Sequence, residues 1–142
     1  MEGIGKGGSG QDGAVAVEFA LIFPILALLV VGIIQFGIVW SEYQVMQGAA
    51  REGARCAAVQ AAGFSTCAPQ ERVDAALPAG YERSAPVSIS VEGGGSACTS
   101  STVGGNVTVS WEQQFGTGVL NSLIPGFPDS VTRTISGTFR CE

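Results

Sequence analysis

From Phe19 to Ser41 the chain runs for 23 consecutive residues without Asp, Glu, Lys or Arg. A bilayer core of about 30 Å is crossed by roughly 20 apolar residues in a helix, so this run predicts one transmembrane span, about 19–41. Glu18 stands immediately before it. From Glu18 to Trp40 a helix rises about 33 Å, which brings Trp40 and Tyr43 to the far interface, where aromatic side chains gather. The run exceeds the roughly 7–15-residue core of a secretory signal peptide. It is also followed by more helical sequence, "SEYQVMQGAAREGARCAA".

All four cysteines, Cys56, Cys67, Cys98 and Cys141, come after the span. They form no C-x-x-C pair and the chain has no histidine, so a zinc site is not expected. An even number of cysteines beyond a span points to disulfides in an oxidising compartment. That places the C-terminal part outside the cytoplasm and the N-terminus inside. Positive charge adds little to this orientation, because Lys6 is offset by Glu2 and Asp12.

The glycine-rich start, "MEGIGKGGSGQDG", has nothing to bury and is expected to be disordered. A helix is expected from about Val15 to Ala61, loosened or kinked at Pro24. Ala49, Gly53 and Ala57 form one row of small residues along it, and Ala50, Ala54 and Ala58 the adjoining row. Such rows let another backbone approach closely. Arg51 and Arg55 share a different face, either a solvated edge or a subunit contact. A short helix is expected over Pro69 to Leu77, with Pro69 in its first turn.

Beyond it the apolar period changes to two. Val87, Ile89 and Val91 alternate with polar residues, as do Val107, Val109 and Trp111, and then Ile135, Gly137, Phe139 and Cys141. These are three half-buried strands. "GGGSACTSSTVGG" joins the first two as a long flexible loop. The second connection, "EQQFGTGVLNSLIPGFPDS", carries Phe115, Leu120, Leu123 and Phe127. A loop this apolar either packs on its own domain, the favoured reading, or meets a partner. Antiparallel pairing of the second and third strands would bring Cys98 near Cys141 and leave Cys56 for Cys67. Of the three pairings four cysteines allow, this one is preferred. The fold class is therefore α+β, a long N-terminal transmembrane helix extending into a small domain with a short helix and an antiparallel sheet of about three strands.

Chemistry is sparse. Without histidine there is no imidazole base or ligand, and no serine lies in a G-x-S-x-G setting. No activated nucleophile stands out, and no basic patch suggests nucleic acid. No enzyme activity, metal or cofactor is expected. The feature that asks for an explanation is Glu18, because a carboxylate at the edge of a span is tolerable near the headgroups but costly deeper in lipid.

"GAVAVEFALIFPILALLVVGIIQFGIVWSEYQVMQGAAREGAR", Gly13 to Arg55, resembles the TadE-like family, pilin-like proteins of the tight adherence (Tad, Flp or type IVc) pilus system. The resemblance rests on "GAVAVEF", Pro24 within the apolar run, Phe36-Gly37 and "AAREGAR". It implies a pilin-like fold and cutting by a prepilin peptidase between Gly13 and Ala14. Residues 1–13 would then be a cytoplasmic leader, 14–61 the helix, and 62–142 an extracytoplasmic domain. The cut would free an α-amino group at Ala14, with Glu18 and Phe19 as the fifth and sixth mature residues. The resemblance implies that in assembled pilins this glutamate neutralises the terminal amine of a neighbour; a contact from Glu18 to its own Ala14 amine is the other option, and the sequence does not separate the two. Many relatives carry Arg or Lys just before the cleavage glycine, whereas Gln11 and Asp12 stand there in this chain.

The resemblance implies a minor pilin or pseudopilin of the inner membrane, single-pass, that can pass into the extracellular pilus. Its expected partners are the membrane, the prepilin peptidase, the major Flp pilin, other TadE-like minor pilins and the Tad assembly platform. The alternative is an unprocessed single-pass anchor carrying a periplasmic binding module.

Overall fold

The computed structural model describes residues 9–62 and 67–142. One helix, α1 (Ser9–Ala58), runs through the apolar segment and on into a small α+β domain, followed by a 3-10 turn, Val59–Ala62. The domain adds α2 (Pro69–Ala76), β1 (Ser88–Val91), β2 (Asn106–Gly116), the one-turn α3 (Leu120–Leu123) and β3 (Ser130–Arg140). The sheet is antiparallel, in the order β1-β2-β3.

α1 begins before the expected Val15, since Ser9–Gly13 are already helical. Extending an existing helix needs no new nucleus, so a few polar residues join it at small cost. Of the segment expected to be disordered, residues 1–8 lie outside the described residues. Pro24 falls inside the helix without ending it.

The two small-residue rows of α1 receive different elements. Ala49, Ala50, Ala54, Ala57 and Ala58 are all buried. A Cβ on Gly137 of β3 would lie 2.5 Å from the Ala50 carbonyl oxygen and the Arg51 nitrogen, so only glycine allows β3 this close to the helix. A Cβ on Gly53 would overlap a Val73 methyl, so α2 crosses α1 at that glycine. The Arg72 guanidinium then donates to Glu52 Oε1 at 2.8 and 3.0 Å, joining α2 to α1 at the surface. Arg51 and Arg55 are exposed.

β2 and β3 form a long hairpin in register from Asn106↔Arg140 to Gly116↔Ser130. On β2, Val107, Val109, Trp111, Gln113 and Phe115 all bury on the face toward α1. The alternation thus continues four residues past Trp111, and Phe115 belongs to this strand rather than to the following loop. It is 2% exposed, and its ring lies 6.1 Å from that of Tyr43. Gln113 is the polar member of the row. Its Oε1 accepts from Trp111 Nε1 at 3.1 Å and Ser84 N at 3.0 Å, and its Nε2 donates to the Glu82 carbonyl at 3.2 Å. These bonds fasten the Glu82–Ser84 segment over the sheet.

Both disulfides lie at the end of the domain farthest along α1. Cys56 is bonded to Cys67, and Cys98 to Cys141. The second follows from strand register, because Cys141 continues β3 opposite the start of β2. Cys141 N donates to the Gly105 carbonyl at 2.8 Å, and Gly104 N to the Cys141 carbonyl at 2.9 Å. The β1–β2 connection, expected to be a flexible loop, is therefore anchored at its middle and its end. Chain-entropy reasoning gives about 3 and 4 kcal/mol for loops of these lengths.

Candidate functional site

The expected site residues fall in three places along α1. At the N-terminal end, Gly13, Ala14, Glu18 and Phe19 all lie within the helix and are exposed. Ala14 and Glu18 are four residues apart, so they share a face one turn apart. The Phe19 ring lies tilted by 34° against that of Phe23, with ring centroids 5.4 Å apart. Glu18 makes no ion pair among the described residues. At the opposite end lie the two disulfides, about 57 Å from Glu18 by helical rise.

Between them, α1 exposes almost every apolar side chain from Val15 to Trp40. An apolar surface of that extent far exceeds the few hundred Å² a soluble monomer leaves uncovered. It is long and apolar enough to cross a membrane and is not covered by the domain. This supports membrane anchoring through α1.

The third place is the tip of the β2–β3 hairpin, Thr117–Asp129. Leu120 and Phe127 are half-buried there, while Leu123 is 54% exposed. Gly118, at φ +58°, lies against the Gln35 carboxamide; an added Cβ would come within 2.6 Å of Gln35 Cδ. Gln35 gave the one available signal for this contact, as an amide inside an apolar run, and sequence reasoning passed over it. Above the tip, Phe36, Trp40, Tyr43, Phe115 and Arg133 line an open cleft of about 510 Å³.

A separate polar groove of about 560 Å³ runs past Asp74, Tyr81 and Arg83. Arg83 Nε and Nη2 donate to the two Asp74 oxygens at 2.7 and 2.9 Å. That bonding, with the guanidinium charge, holds the Asp74 carboxyl below its ordinary value of 3.8 against a smaller opposing effect of burial. The pair closes on itself and presents no free acid or base. Among the described residues, no three of His, Cys, Asp or Glu gather as metal ligands.

No curated protein and no solved structure matches the chain. One protein-family model does match, over the segment that carries the exposed apolar helix and Glu18: residues 13–55 are similar to the TadE-like protein family.

Proposed function

We propose that the chain is a minor pilin or pseudopilin of a Tad-type pilus. A prepilin peptidase would process it after Gly13, and it would then join the pilus or its assembly complex to support pilus biogenesis and surface adhesion. The observation that carries this reading is one coincidence. The TadE-like match covers 13–55, and within it an exposed apolar helix carries a carboxylate, five residues after a glycine, that has no ion-pair partner among the described residues. The family is one of structural pilus components.

Cleavage at Gly13 would turn the Ala14 nitrogen into an ammonium at a helix N-terminus. A carboxylate one turn on is favoured there by the helix dipole. In low dielectric, an ammonium and a carboxylate attract far more strongly than in water, and either left alone is costly. A subunit whose Ala14 amine meets the Glu18 of a neighbour is therefore held at one axial register. Because Gly13 lies within α1, the peptide must unwind locally to be cut, and glycine is the residue that yields most easily.

Incorporation into filaments tests the role of Glu18. In cells making the complete pilus machinery, Glu18→Ala is expected to be processed like the parent but to be depleted from sheared filaments. Normal incorporation of the processed variant would remove the assembly role.

A further inference from the structure

We propose that the hairpin tip, Thr117–Asp129, is a second membrane contact. It enters the leaflet on the domain's side of the bilayer that α1 crosses and buries Val119, Leu123 and Ile124 among lipid chains.

Depth is the first argument. The tip packs on α1 at Gln35, six residues inside the end of the charge-free run, or about 9 Å by helical rise. One turn deeper, Val31 is half-buried while Leu29, Val30, Ile33 and Ile34 are exposed. Measured from Glu18, a core of about 30 Å ends near Ile38. The tip therefore reaches below the level at which hydrocarbon gives way to headgroups.

The tip is also built to enter lipid. Its only charged residue is Asp129, at the base, where Asn121 Nδ2 donates to it at 2.7 Å. Val119, Leu123 and Ile124 are exposed, on a tip whose α3 turn contacts α1. An element inside a membrane must satisfy its own backbone. The backbone N–H groups of Thr117, Leu120, Ser122, Leu123, Ile124 and Phe127 donate within the tip, Pro125 and Pro128 have none to offer, and those of Gly118, Val119, Asn121 and Gly126 make no hydrogen bond among the described residues.

The level above matches a lipid surface as well. The cleft beside Trp40 and Tyr43 is walled by rings and carries the Arg133 guanidinium. Aromatic residues and a snorkelling arginine are what the headgroup zone accepts. A single helix leaves a domain free to swing about it. With the tip as a second foot, the height and tilt of the domain over the membrane are fixed. This proposal rests on membrane anchoring alone and stands or falls separately from cleavage at Gly13.

Bromolipid quenching tests it on the full chain in phosphatidylcholine vesicles. In a Trp40→Phe background, Leu123→Trp is compared with Val103→Trp, an exposed site in the β1–β2 connection. Dibrominated phosphatidylcholine is expected to quench roughly half or more of the emission added at 123 and almost none of that added at 103, with acrylamide doing the reverse. Ile124→Trp repeats the test should the first variant misfold. Quenching at 123 by acrylamide but not bromolipid would place the tip in water and overturn the proposal. Protection from both quenchers would place it against another protein copy and overturn it equally.

Discussion

Glu18 and Gln113 are both polar residues in apolar patterns, and they were unequally legible in the sequence. Glu18 stands beside a run with no other charge, so its oddness needs no fold to be seen. Gln113 occupies the next inward position after Trp111 and reads as the end of a strand. One of its hydrogen bonds comes from Trp111, two residues back on the same strand, but the other two exist only when Glu82–Ser84 folds over the sheet, with partners 29 and 31 residues away. The Asp74–Arg83 pair belongs to the same scale. Its carboxyl titrates below 3.8 in the folded protein, so the stability it contributes is complete above that value. That stability is lost as pH falls through the lower folded value. Asp74 is 55% exposed, which limits the contribution to under about 1 kcal/mol. Urea midpoints at neutral pH and well below the ordinary carboxylate range should therefore show a small gap between the parent and Asp74→Asn that closes on acidification. A gap that widens on acidification would contradict the assignment.

At the scale of elements, the strands, their pairing and the helix-to-domain continuity were legible because each rests on local periodicity. The ends were not. β2 runs on to Gly116 because Gln113 and Phe115 keep facing α1, and the alternation rule loses its signal where an inward residue is polar. Phe115 was accordingly expected in the apolar connection and is instead a core residue against Tyr43. The small rows of α1 announced a close approach without saying by what. β3 takes one at Gly137 and α2 another at Gly53. Gly137→Ala is expected to destabilise the domain by about 1–3 kcal/mol, since the Ala50 backbone it would meet cannot rotate away. Gly116→Ala, whose Cβ enters open space, should change stability by less than about 0.5 kcal/mol. Denaturant midpoints of the detergent-solubilised chain with disulfides intact check both. Equal effects would mean that the helix–sheet approach is not the constraint.

As a whole molecule, the protein has one apolar rod and one small domain at its end, and the rod is bare. The domain clasps α1 beyond the span and, within it, at Gln35 and Val39, and both disulfides lock the far end, where the C-terminus also meets the helix through Glu142 N to the Ala58 carbonyl at 3.3 Å. Such a design suits a subunit whose helix is covered first by lipid and then, in the proposed function, by other helices. The exchange requires a signal that fixes register, and Glu18 can supply it only if a cut at Gly13 creates its partner. The intact mass of the chain after co-expression with a prepilin peptidase tests this most directly. The account predicts a mature chain beginning at Ala14; an uncut Met1, or a cut after the apolar run, would contradict it.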